Sequence, residues 1–543
     1  MEPNERPGGI GRGGFQTRPQ PAMNRHRPSV MAANGLVASG HPLASAAGIR
    51  VMQEGGNAFD AAIAAAAVAA VCKPSMNSIG GDNMALIWDA RRQQLLALNS
   101  NGYSPAAATL DRCRGGIPLR GPMAVSVPGA VAGWEAIIAR FGTKTLGELL
   151  GPAIGYAEHG FPVGHQLLGE MRGVENELRS WPGAAGIFLP GGRLPGPTDL
   201  LPQVDLAASL RALAAHGARA LYDGELAQRI GEHVAASGGI LAAADLAGFH
   251  SQWKEAVRTS YRDAEFYGQP PSSQGFIVAQ ELNILEGFEP RSMGTAELIH
   301  TMVEAKKLAF ADRDRYLADP EHYPVPLQEL VSKEHAARQR ERIDPGRAAQ
   351  GPRALPIGQA GGETTYLCAV DRDGNAISLI QSIFHVFGSC FVAGDTGILL
   401  NNRMTAFNVE AGHPNCVEPG KRPAMTLNAC MLFRDGRPWV VYGTPGADAQ
   451  VQTNFQMAVN FVDFGMDVQS AAEAPRWRHF AENLLAIDDR CGRDAIERLS
   501  ELGHDVDVRG PWGAESGSVK AIMVDQRTGV LQGGADPRRD GYA

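Results

Sequence analysis

With 543 residues, 44% hydrophobic and 20% charged, the chain can bury a large core, and length alone suggests several domains. A formal charge of −8 and a pI near 6.0, with no dense Lys/Arg block, argue against a nucleic-acid-binding surface. Seven cysteines, none in a Cys-x-x-Cys pair, do not make a disulfide framework, so reduced thiols are expected.

The first residues, Met1 to Pro7, lead into Gly, Arg and Pro without an apolar run, so no secretory signal is read there and a cytoplasmic protein is expected. Residues 1–25 read as a flexible tail. Within it, Gly9-Ile10-Gly11-Arg12-Gly13-Gly14 satisfies the dinucleotide pattern G-x-G-x-x-G. No strand precedes it and no helix follows to place phosphates at a helix N-terminus, so no cofactor is expected. The most apolar run, Ala61 to Val71, is shorter than the roughly 20 residues that span a bilayer. It reads as a buried helix with Asp60 in its first turn and Pro74 as its stop, and no membrane partner is expected.

After the charge-rich amphipathic segment Lys333 to Ile343, Asp344-Pro345-Gly346 and the Gly/Pro-rich run from Gly351 to Gly362 have the composition of a loose connection. That run stops at Glu363-Thr364-Thr365, where a strand-like segment begins. Thr-Thr after Gly-Gly is by itself the ordinary start of a β-strand. A threonine made N-terminal by cleavage of its own peptide bond, however, carries its general base with it, the α-amine. The segment continues as a hairpin: an apolar run to Val370, the turn Asp371-Arg372-Asp373-Gly374, and a second run Asn375 to Gln381. Further on come Thr396 to Met404, Gly420-Lys421-Arg422-Pro423, and a strand Trp439 to Tyr442 followed by Gly443-Thr444-Pro445-Gly446-Ala447.

In this order these landmarks resemble the small subunit of the γ-glutamyltranspeptidase family of N-terminal-nucleophile hydrolases. The resemblance extends over nearly the whole chain from about residue 30. It takes in Gly55 to Ala62, Gly80-Gly81-Asp82, Val127 to Gly133, Glu304 to Arg313, Ala474-Pro475-Arg476 and Gly534 to Arg538. It implies an α+β fold, a four-layer αββα sandwich built as one compact domain from both halves of a cleaved precursor. The large subunit would be 26–363 and the small subunit 364–543, cut between Glu363 and Thr364. The two chains would remain together as a heterodimer, with a dimer of heterodimers as a further option.

By the same resemblance Thr364 is the nucleophile, Thr365 supports it through a second hydroxyl, and Ser382 can hydrogen-bond the new α-amine. The backbone N–H groups of Gly446 and Ala447 stand where the family has its Gly-Gly oxyanion hole, provided that Ala447 can adopt the required dihedrals. The substrate pocket is where the match breaks. The arginine that holds a substrate α-carboxylate in the family is replaced by Asn101. The Asn, Gln and Asp that hold the α-ammonium correspond to Phe384, Arg403 and Ala406, and a serine pair corresponds to Met425 and Thr426. A cation stands where a cation should bind.

Arg403 reads either as a ligand for a carboxylate or as an arginine tied to a structural aspartate. The first reading implies a small amide substrate with a carboxylate and no α-amine, oxamate-like or another dicarboxylic half-amide. It places the chain nearer the cephalosporin acylases and oxamate amidohydrolases of the superfamily, with hydrolysis favoured over transfer. The alternatives are a γ-glutamyltransferase or glutathione hydrolase, and an uncleaved binding pseudoenzyme. A metal hydrolase has little support: the 14 histidines include no His-Glu-x-x-His and no tight cluster with cysteine, so no metal is expected. His385 reads as a pocket-lining or core side chain.

Overall fold

The computed structural model describes residues 26–351, 362–513 and 516–543. The G-x-G-x-x-G pattern of residues 9–14, the rest of the tail and residues 352–361 of the connection lie outside them.

Two antiparallel sheets organise the molecule. One has six strands in the spatial order Gly35–Ala38, Gly362–Asp371, Ala376–His385, Asp82–Asp89, Gln94–Ser100 and Gln252–Lys254. The other has seven: Val30–Ala32, Leu531–Ala535, Lys520–Val524, Arg437–Gly443, Ala429–Arg434, Ala264–Gly268 and Val257–Tyr261. Each sheet takes strands from both sides of residue 364, so the layers cannot be divided at that point into independent domains.

Side-chain alternation along each strand sorts residues into layers. In strand Gly362–Asp371, Tyr366, Cys368 and Val370 pack between the sheets with Met431, Val441 and Ile522. Leu367 and Ala369 face the opposite way, against helix Ala58–Cys72. Every residue of that helix is buried, and its N-terminus is closed by a capping box between Asn57 and Asp60. The small alanines let it lie close enough for Gln381 Nε2 to donate to Ala66 O at 2.9 Å. On the far side, helices Phe276–Leu285, Thr295–Tyr316 and Ala449–Val462 cover Phe266, Leu432, Val440 and Tyr442. The result is the four-layer αββα sandwich. Among the described residues no helix is long and apolar enough to cross a membrane.

The hairpin runs further than its apolar pattern indicates, its second strand reaching His385 rather than Gln381. The extension pairs with Gly362 and Glu363, and the register shifts between Glu363 and Thr365. Thr364 therefore stands opposite a β-bulge, one residue facing Ser382 and Ile383 of the second strand, neither of which pairs with the first.

The connection, expected to be loose from Asp344, is instead anchored as far as Gly351. Lys307 Nζ donates to Ala349 O at 2.7 Å, Ala349 N–H to Glu304 Oε2 at 3.1 Å, and Gly351 N–H to Glu482 O at 3.1 Å. His300 Nε2 lies 2.8 Å from Asp344 O and must donate to it. Its Nδ1 is then an acceptor for His504 Nε2–H, 2.8 Å away. Glu304 joins the two histidines so that one ligand atom of each lies within 4.8 Å of the others, a convergence hidden in a sequence where His300 and His504 are far apart. Glu304 is already engaged by Lys307 at 2.8 Å.

Burial, with the positive field of Lys307 added, lowers His504 from its ordinary 6.5 to about 3. The neutral ring is the folded form, so its stabilising contribution is complete above about pH 6.5 and is lost as pH falls toward 3. His504→Gln keeps an N–H donor without a titrating ring. We expect it to be less stable than wild type at pH 8 and to close that gap in thermal midpoint between pH 6.5 and 4. A gap that is constant with pH would contradict the assignment.

Candidate functional site

The hairpin's open end sets Thr364, Thr365, Ser382 and Phe384 side by side. Thr364 and Thr365 are each only 2% exposed, yet their hydroxyls point to different neighbourhoods. Thr364 Oγ1 donates to Ser382 Oγ across the hairpin at 3.3 Å, and Ser382 Oγ accepts the Phe384 N–H at 2.8 Å. Thr365 Oγ1 turns toward Gly40, where a Cβ would come within 2.6 Å of it, and it has no hydrogen-bond partner among the described residues. Gly40 is thus required by close approach of the Thr365 hydroxyl.

The loop after strand Arg437–Gly443 reaches the same end. A Cβ on Gly443 would fall 2.4 Å from the ring of Tyr366, two residues beyond Thr364, so only glycine lets the loop cross there. Gly446 has φ 126° and Ala447 φ 49°, so both carry a positive-φ backbone of the kind that favours glycine. For a residue with a Cβ that conformation costs about 1–2 kcal/mol. Gly446 O accepts from Ala449 N–H and Ala447 O from Gln450 N–H, at 2.9 and 3.1 Å, in the first turn of helix Ala449–Val462. Because a trans peptide sets its C=O and N–H in opposite directions, the Ala447 N–H points out of the helix N-terminus. Neither the Gly446 nor the Ala447 N–H has an acceptor among the described residues.

Phe384 lies at the end of the second hairpin strand with φ 80°, an uncommon conformation for a bulky residue and one concentrated at functional positions. Its ring lies over the Arg403 guanidinium, 4.3 Å from centroid to Cζ. Arg403 Nε donates to Asp82 Oδ2 at 3.1 Å, and Asp82 Oδ1 accepts the Gly102 N–H at 2.9 Å. Both side chains are buried, and burial pushes the Asp82 carboxyl up and the Arg403 guanidinium down while their mutual attraction opposes each shift. The two terminal nitrogens, Nη1 and Nη2, are buried without a hydrogen-bond partner among the described residues. Arg403 is therefore tied to an aspartate through Nε alone.

Asn101 lies nearby, its Nδ2 donating to Ser272 Oγ at 3.2 Å and Pro423 O at 2.9 Å, with Oδ1 lacking a partner among the described residues. Met425 exposes its backbone rather than its side chain to this region. The side chain belongs to the core between the sheets, while N–H and C=O pair with Ser272 O and Gln274 N–H at 2.8 and 2.9 Å. Thr426 O accepts from Gln274 Nε2 at 3.1 Å. Ala406 closes the turn Arg403–Ala406, and its carbonyl takes Asn415 Nδ2–H at 2.7 Å. His385 is buried with its Nδ1 2.9 Å from Asn402 Nδ2, which donates to it, and burial lowers the ring to about 4.

Three groups escaped the sequence reading: Asp82 as the partner of Arg403, Gln274, and the pair Arg313–Asp448 at 2.7 Å. Asp82 and Arg313 stand inside landmark motifs, but their partners lie far along the chain and no local pattern marks them.

A profile of the gamma-glutamyltranspeptidase family matches residues 44–543. The chain is 39% identical over 525 residues to the glutathione hydrolase-like YwrD proenzyme of Bacillus subtilis (95% of this chain, 99% of that protein). It is 35% identical over 529 residues to the oxamate amidohydrolase proenzyme of Klebsiella pneumoniae (95% and 99%). The crystal structure of a cephalosporin acylase from Bacillus halodurans superposes with a TM-score of 0.90 at 34% identity, covering 97% of this chain and 98% of that one. The chain accordingly belongs to the γ-glutamyltranspeptidase family of amide hydrolases, whose members include proenzymes.

Proposed function

We propose that the protein is a self-processing amidohydrolase that cleaves a small amide whose acyl part carries a carboxylate and no α-ammonium. Thr364 Oγ attacks the carbonyl of Glu363, and the acyl group shifts from nitrogen to oxygen. Water then hydrolyses the resulting ester, leaving a carboxylate on Glu363 and a free α-amine on Thr364. In the mature protein the Thr364 hydroxyl attacks the substrate carbonyl, and the α-amine takes its proton and returns it to the leaving amine. Water resolves the acyl ester by the reverse proton path. The N–H groups of Gly446 and Ala447 meet the oxyanion, and Ser382 orients the Thr364 amine.

The observation that carries the substrate class is Arg403. Its Nε is spent on Asp82, its face is covered by Phe384, and Nη1 and Nη2 remain to bind a carboxylate in bidentate fashion. An α-ammonium at the same place would face only N–H donors on Arg403 and find no acceptor there. The 39% identity to a glutathione hydrolase-like protein favours γ-glutamyl hydrolysis as the second reading.

Purified protein incubated with oxamate, glutaryl-p-nitroanilide and γ-glutamyl-p-nitroanilide separates the two. We expect cleavage of a probe lacking the α-amine and little release of glutamate. Robust glutamate release with neither other probe turned over would replace the first reading by the second. A chain that stays a single band near 57.7 kDa and turns over none of them would be the uncleaved pseudoenzyme.

A further inference from the structure

We propose that Gln274 is a positioning residue for the oxyanion loop, a role that rests on the reading of Gly446 and Ala447 given above. Gln274 is completely buried in the turn before helix Phe276–Leu285. Its side-chain amide is fully committed. Nε2 donates to Thr426 O at 3.1 Å and to Ala447 O at 3.3 Å, while Oε1 accepts from Arg313 Nη1 at 2.9 Å.

Arginine can only donate, so it fixes which end of the amide is oxygen, and the NH2 must face the two carbonyls. Arg313 is itself held by Asp448 Oδ1 at 2.7 Å, one residue beyond Ala447. A single side chain thus joins the loop at residues 425–426, on the acyl side of the site, to the loop at 446–447.

The strained residue explains why this matters. Ala447 sits in the left-handed region only because its surroundings hold it there, and the bond from Gln274 to its carbonyl is one of the two that do. Once released, the Ala447 backbone can rotate and carry its N–H away from the oxyanion position. An oxyanion forms in the transition state and not in the bound substrate, so the loss falls on kcat rather than KM.

Gln274→Glu tests this directly, because glutamate keeps the acceptor for Arg313 and removes both donors. In full-length processed protein assayed with glutaryl-p-nitroanilide, kcat is expected to fall about 10- to 100-fold, with KM unchanged within about threefold. Gln274→Met, apolar and of similar volume, is held to the same split if the glutamate variant does not fold.

A kcat within about twofold of wild type, or a rise in KM at constant kcat, would overturn the role of Gln274 while leaving that of Thr364 intact. Failure of the underlying reading looks different: wild-type protein would form no glutaryl ester at Thr364 by mass spectrometry.

Discussion

Thr364→Ala is expected to remain a single chain of 57.7 kDa and to hydrolyse nothing, and wild type is expected to separate into fragments ending at Glu363 and beginning at Thr364. The two losses have one cause. Under the proposed mechanism, the hydroxyl that opens the Glu363–Thr364 bond is the hydroxyl that later attacks substrate, and the base of the second reaction does not exist until the first is complete. Removal of a nucleophile whose partners act as a unit costs on the order of 10⁴-fold or more in turnover. Thr364→Ser should process, more slowly, and retain activity. The thermal midpoint should move little in either variant, because Thr364 Oγ1 makes one long contact, 3.3 Å to Ser382. Denaturing electrophoresis with N-terminal sequencing checks all of this, and a normally processed alanine variant would mean that another group cuts the chain.

Arg403→Gln carries the second large effect, on binding and stability together. Loss of a bidentate, charge-assisted contact is expected to lower kcat/KM for carboxylate-bearing probes about 100-fold, or about 2.7 kcal/mol. Asp82, fully buried, would also lose the cation that faces it and keep only the Gly102 N–H. Leaving one partner of such a pair typically costs about 3–5 kcal/mol of stability. The double variant Asp82→Asn/Arg403→Gln should recover much of that stability and none of the turnover, because it removes the stranded charge without restoring the ligand. A loss of stability in Arg403→Gln with kcat/KM unchanged would make Arg403 purely structural.

What could be read from the sequence divides along physical lines. Helix Ala58–Cys72 and the hairpin around Asp371–Gly374 are local objects, declared by composition, capping residues and turn residues within a few positions. The layers follow from alternation once each strand has a partner. The bulge at Thr364 was not legible, because it arises from how Gly362 and Glu363 pair with His385 and Phe384, and no residue in the run encodes a register shift. The Arg403–Asp82 contact spans 321 positions, and its form was the point left open. The structure shows the arginine tied to an aspartate through one nitrogen, with its two terminal nitrogens lacking a hydrogen-bond partner among the described residues. Gln274 shows no periodicity, no motif and no charge. Its part in the site comes from three loops meeting in space.

The register shift also makes the precursor a lock that holds its own key. On the near side of the bulge, among the described residues, two pairs hold the chain before Thr364 in the sheet: Gly362 with His385 and Glu363 with Phe384. From Thr365 onward the ladder continues independently. Under the autocleavage reading, cutting at the bulge frees a short tab whose departure disturbs nothing beyond it. That tab lies along the backbone of Phe384, the residue whose ring covers Arg403. Under that reading, the event that creates the attacking amine also releases the Phe384 backbone from its partner in the sheet.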